Sequence, residues 1–175
     1  MYVLNLKVLA ATAVIALLAA PLARPASAQD RPAPAADFAA GALMFPDDGT
    51  VNEGFVGGAL RYYVSPRISV GPELAYIRGD RHSHLMLTGN VNFDLLGPVS
   101  GKPRPITPFA VVGGGVFRTR EQFPNETFTS SEGAFTAGGG IRALVGNRVT
   151  VGAEARVGWE LHLRVNGTVG IRLGR

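Results

Sequence analysis

Residues 82–84 read His-Ser-His. On a strand, His82 and His84 share one side, and two imidazoles can hold a metal ion if a third ligand arrives. Asp80, in the same polar stretch, is the nearby acid that a histidine-assisted serine would need. The plainer reading is a polar opening to a strand, and His162, far along the chain, reads as a residue at the mouth of the same fold. Gly97-Pro98-Val99-Ser100-Gly101-Lys102 is one residue short of a phosphate-binding loop, and Pro103 follows where Ser or Thr is needed. Gly113-Gly114-Gly115 and Gly138-Gly139-Gly140 sit at no strand-to-helix junction. They read as places where backbones approach closely in a curved sheet. Asn125-Glu126-Thr127 fits a glycosylation pattern and marks an exposed loop. None of these stretches is expected to form a catalytic, cofactor or metal site.

The charged residues with the clearest setting lie in VTVGAEARVGW, 149–159, where every odd position is apolar and the even ones include Glu154 and Arg156. Such alternation makes a strand with two different faces. From residue 37 onward the chain resolves into eight such segments: 37–45, 55–64, 67–77, 84–95, 106–118, 135–145, 149–159 and 162–173. Turn residues separate them. The first alternates weakly. The connections after the second and sixth are very short, and 119–132 is the longest polar loop. Eight strands of this length with alternating short and longer connections predict a small up-and-down barrel. The long connection after strand four and the short one after strand seven depart from that pattern.

The N-terminal sequence adds a leader. Lys7 is the only charge in the first 23 residues, and 8–20 is apolar except for Thr12. That run is too short to span a bilayer, which takes ~20 residues. Pro21 and Ala26-Ser27-Ala28 follow, so 1–28 reads as a cleaved secretory signal peptide, 29–36 as a Pro/Ala-rich leader and 37–175 as one barrel domain. Removing 28 of the 175 residues leaves 147, with 15 basic and 13 acidic side chains. That near-balance, without any Lys/Arg run, argues against nucleic acid as a partner. The chain contains no cysteine, which excludes disulfides and a lipid-modified cysteine anchor.

Which strand face looks inward decides the fold's solvent. A secreted soluble barrel needs a densely charged exterior, whereas the polar faces here hold one or two charges per strand, diluted by Gly, Ser, Thr and Asn. The apolar faces run to the strand ends and several finish in aromatics: Tyr62, Tyr76, Phe93 and Trp159. This favours lipid outside and a polar lumen inside. Pairing that keeps like faces together then makes specific predictions. With three-residue turns after Val145 and Gly158, Arg142 lies opposite Gly152 and diagonal to Glu154, Arg156 lies opposite Arg164, and Glu154 lies opposite Asn166. Arg61 falls diagonal to Glu73. Buried charges must pair or stay wet, so a lumenal network centred on Glu154 is expected from Arg142, Arg156, Arg164, Arg61 and Glu73, with Asp94 as a further acid.

The segments FVGGALRYYVSPRISVGPELAYI, PFAVVGGGVF and TAGGGIRALVGNRVTVGAEARVGW resemble the small outer-membrane β-barrel superfamily that includes OmpA-type, OmpX-type and OmpW-type barrels. The resemblance covers 37–175 and implies an all-β, eight-stranded antiparallel transmembrane barrel in a bacterial outer membrane, with tight periplasmic turns and longer outer loops. It implies lipopolysaccharide and other outer-membrane lipids as neighbours, delivery by periplasmic chaperones and the barrel-assembly machinery, and a monomer. Such barrels often end in an aromatic residue, and this chain ends in Arg175. The expected role is non-enzymatic: structural, envelope integrity or surface interaction, with Arg120, Phe123 and Phe128 of the long loop as the contact candidates. The alternatives are a lipid A-modifying enzyme using His82, Ser83 or His84, a small-solute channel, and a secreted soluble ligand-binding barrel.

Overall fold

The computed structural model describes residues 31–47, 49–80, 82–99, 102–122, 126–158 and 162–174. The signal peptide expected at 1–28 lies outside them, as do Phe123, Asn125, Trp159 and Arg175. The chain forms β1 (Ala35–Asp47), β2 (Gly49–Tyr63), β3 (Ile68–Arg78), β4 (His82–Asp94), β5 (Ile106–Gln122), β6 (Thr127–Val145), β7 (Val149–Gly158) and β8 (His162–Arg172). Each strand pairs antiparallel with the next, and β1 also pairs with β8, giving a closed barrel in chain order. Closure satisfies every strand edge, which an open sheet in lipid could not do.

Polarity is inverted relative to a soluble protein. Leu87, Val151, Val157, Val165, Val169 and Ile171 are exposed on the outside, whereas Arg61, Glu73, Thr136, Glu154, Arg164 and Asn166 are buried inside. The ten residues of β7, at ~3.3 Å per residue and a tilt of ~40°, reach about 25 Å, the height of a bilayer's apolar band. Tyr76 lies near one end of the wall and Tyr62 and Phe93 near the other. No helix of the described residues is long and apolar enough to cross a membrane. The fold is an eight-stranded transmembrane β-barrel.

Three regions differ from the sequence expectation. β1 begins at Ala35, inside the stretch read as leader, because Ala35 already pairs with Arg61 on one side and Arg172 on the other. The weak alternation of β1 also has a cause. Its inward positions include Leu43 and Ala39, which pack in an apolar cluster inside the barrel, so both its faces are apolar. The second difference is the β1–β2 connection: β2 begins at Gly49, not at Phe55, because residues 49–54 already pair with 42–47 of β1. The third is the loop expected at 119–132. β5 and β6 continue pairing as far as Gln122 and Thr127, and the connection shrinks to 123–126. Polar residues on both faces obscured this β-rich TFTSS segment, because a hairpin standing beyond the barrel wall meets water on both sides.

The turn from β6 to β7 passes through Gly146, whose φ of 66° lies in the left-handed region that other residues avoid. It sets Val145 opposite Val149 and Arg142 opposite Gly152. In the next hairpin Gly158 pairs with His162 and Arg156 with Arg164. Both registers are those that three-residue turns require.

Candidate functional site

The lumen is filled in tiers. At the end where β1 begins and β8 ends, Arg61 forks onto Asp37, with Nη2 at 2.9 Å from Oδ1 and Nε on Oδ2. Its Nη1 also donates to the Tyr63 hydroxyl at 3.2 Å, which donates to Asp94 at 3.2 Å. Asp94 accepts from Arg142 Nη2 at 2.8 Å, and the Arg142 guanidinium lies 3.9 Å above the Phe109 ring. Two acids and two arginines therefore balance in this tier.

The middle tier is a closed quartet. Arg156 grips Glu154 with Nε and Nη2 at 2.7 and 2.9 Å, and its Nη1 lies 2.9 Å from Glu73. Arg164 donates to Glu73 at 2.5 Å and to Glu154 at 2.9 Å. Asn90 adds a donor to Glu73 at 2.6 Å. Each arginine touches both carboxylates, so no charge in the tier stands alone. Charge-assisted, forked contacts of this kind are the geometry in which buried ion pairs offset their desolvation.

Above the quartet lies an apolar plug of Leu43, Phe55, Ala75, Ile77, Met86 and Phe117. Phe55 supports the Arg164 guanidinium at 4.6 Å, and Phe117 stacks on the His84 ring at 4.8 Å. The plug thus separates the quartet from a third polar tier at the far end. There Glu53 contacts His82 Nε2 and lies 3.5 Å from His84 Nε2, while His84 Nδ1 bonds Thr119 Oγ1 at 3.0 Å.

The sequence-derived charge residues distribute between these tiers. Glu154, Arg156, Arg164 and Glu73 meet in the quartet. Arg142 is diagonal to Glu154 in register but pairs with Asp94, and Arg61 pairs with Asp37, not Glu73. The reason is reach across the lumen. Arg142 sits on β6 and Asp94 at the end of β4, with Phe109 of the intervening β5 as a platform, a contact that hairpin register alone does not contain. Asp37, Tyr63, Asn90, Glu53 and Thr119 were not singled out from sequence. Asp37 and Asn90 pair within their own hairpins, with Arg61 and Glu73, whereas Tyr63 and Glu53 meet partners on β4, two strands away, and Glu53 and Thr119 fell in stretches read as loops.

The contact candidates also separate. Arg120 pairs with Thr129 and Phe128 with Glu121, so the two stand on opposite faces of the β5–β6 hairpin. Phe128 is 58% exposed, and Phe123 lies outside the described residues. Arg120 and Phe128 therefore do not share a patch.

No protein-family model and no curated protein matches the chain. Solved structures do. Neisserial surface protein A aligns over 80% of this chain and 96% of its own, with a TM-score of 0.65 at 10% identity. The N-terminal barrel domain of OprF from Pseudomonas aeruginosa covers 78% and 96%, at 0.63 and 9%. Ail, the attachment invasion locus protein of Yersinia pestis, covers 81% and 98%, at 0.58 and 10%. At these identities the likeness concerns the fold: a small, closed, eight-stranded membrane barrel.

Proposed function

We propose that this chain is a non-enzymatic bacterial outer-membrane barrel with a structural, envelope-integrity or surface-interaction role. The reading rests on one observation above all, an apolar outer wall around a lumen crossed by the Glu73–Glu154–Arg156–Arg164 quartet. A lumen tied across by forked ion pairs and closed by a plug of Phe55, Met86 and Phe117 suits a solid pillar in the membrane better than a solute channel. The buried carboxylates of the two lower tiers are engaged by guanidinium groups, which suits packing better than proton transfer.

In this reading residues 1–28 export the chain, and the end where β1 begins and β8 ends faces the periplasm. The β5–β6 hairpin, the longest of the barrel at 17 and 19 residues, stands toward the exterior, where lipopolysaccharide and other envelope components are its neighbours. The protein works as a monomer inserted by the barrel-assembly machinery. Membrane fractionation with gel mobility before and after boiling tests the placement. The protein is expected in the outer-membrane fraction and to migrate differently when unboiled. Recovery in the soluble fraction without detergent would remove the membrane reading. In planar bilayers it should give no stable conductance. An unchanged lipid A mass spectrum, with and without the protein, is the outcome expected of a non-enzyme.

A further inference from the structure

Four acids of the lumen, Asp37, Glu73, Asp94 and Glu154, each hold at least one arginine. Glu53 does not. Its side chain is 1% exposed, and among the described residues it pairs with no arginine or lysine. It faces two imidazoles, His82 and His84. We propose that Glu53, His82 and His84 form a binding site for a divalent transition-metal ion of the zinc class at the far end of the lumen.

Three features of the geometry carry this. First, His82 and His84 come from alternate positions of β4 and so point the same way, while Glu53 arrives from β2, across the intervening β3. One ligand atom from each lies within 4.8 Å of the other two. Second, the Thr119 hydroxyl occupies His84 Nδ1. With the ring proton there, the Nε2 lone pair is turned toward Glu53 Oε2, a buried oxygen without a hydrogen-bond partner. Two electron-pair donors thus face one another at 3.5 Å. An ion bonded at ~2.0–2.1 Å to each of two tetrahedral ligands sets them about 3.4 Å apart. Third, the outer shell is of the kind that orients metal-binding histidines. Thr119 holds the Nδ1 edge of the ring and Phe117, stacked at 4.8 Å, fixes the ring plane.

A route in exists. His82 is 31% exposed at its side chain, so the cluster meets solvent at the rim of the lumen. Glu121 stands opposite His82 on the same face of the β4–β5 pair and adds negative potential there. The donor set selects the ion. Two imidazole nitrogens and one carboxylate suit zinc, copper or nickel, whereas calcium and magnesium take oxygen ligands. Three protein ligands leave one coordination position facing the opening.

The competing explanation for Glu53 is a proton on one histidine. To separate the two, the untagged protein is folded in detergent micelles, stripped with a chelator and titrated at neutral pH with zinc by calorimetry and with cobalt(II) by visible absorption. One ion per chain should bind, with cobalt bands of tetrahedral strength and no competition from magnesium or calcium. His84→Ala should abolish binding, Glu53→Gln should weaken it at least tenfold, and Thr119→Val should weaken it about tenfold through the ring orientation. Gel mobility before boiling checks that each variant is folded. If His84→Ala does not fold, the partly exposed His82→Gln carries the same test. Absence of saturable zinc binding by the folded wild type overturns the site in favour of the proton. Zinc binding that is undiminished in Glu53→Gln and in a folded histidine variant overturns it in favour of another location.

Discussion

Arg164 is 1% exposed, and almost everything a buried guanidinium needs is supplied to it: carboxylate oxygens of Glu73 and Glu154 at 2.5 and 2.9 Å and the Phe55 ring at 4.6 Å. Removing one partner from such a group costs more than the pair contributes, because the charges left behind stay buried without full compensation. Arg164→Met is therefore expected to destabilise the barrel by about 3–5 kcal/mol, read as a shift in denaturant midpoint of the unboiled gel band in micelles. Adding Glu73→Gln to that variant restores the charge balance of the quartet, with Arg156 still facing Glu154. The double variant should then be more stable than the two single losses added together, by a coupling of about 0.5–3 kcal/mol. Strict additivity would mean that the quartet acts as filling, with no linkage between its charges.

The glycines of β6 set how closely neighbouring strands and lumen side chains can pack. At Gly138 an added Cβ would fall on the Ala155 carbonyl oxygen and within 2.6 Å of Arg156 Cα, both backbone atoms that cannot rotate away. At Gly133, in the projecting part of the same strand, it would meet nothing within 4 Å. Gly138→Val should cost upwards of about 3 kcal/mol or abolish the folded band, by overpacking, while Gly133→Ala should stay within about 0.5 kcal/mol. Equal tolerance at both positions would sink the close-packing reading. This contrast also marks what the sequence made legible. Alternation located all eight strands, and turn length set the registers that bring Arg156 opposite Arg164 and Glu154 opposite Asn166. Those are local facts, because a turn and a two-residue period fix which face meets which. The partner of Arg142, and the meeting of Glu53 with His82 and His84, were not legible, since they depend on how a closed cylinder brings non-adjacent strands together, whereas the partner of Arg61, Asp37, is its diagonal neighbour on β1, whose weak alternation hid the pairing. The extent of β5 and β6 escaped because periodicity fades where both faces meet water.

At the scale of the whole molecule the inverted polarity makes a prediction that no single hairpin can. A barrel in water gains or loses little when an exposed leucine becomes arginine, wherever on the wall it stands. A barrel in a bilayer responds by depth, because the cost of burying the charge in hydrocarbon falls toward the interfaces. Leu87 lies midway along β4 with its side chain 46% exposed, and Leu95, 52% exposed, follows directly after the end of that strand. Both face outward, so Arg at either position leaves the lumenal ion pairs untouched. Folding into lipid vesicles should lose about 2–4 kcal/mol for Leu87→Arg and only about 0–1 kcal/mol for Leu95→Arg. The measurement is a denaturant titration in vesicles, with the wild type and both variants at one lipid ratio. Repeating it in short-chain micelles, where the arginine can reach water around a thinner apolar belt, should narrow the gap between the two. A gap independent of the apolar thickness would assign the loss at Leu87 to packing against β3 and β5, and the outer wall would then have to be read as something other than a lipid-facing surface.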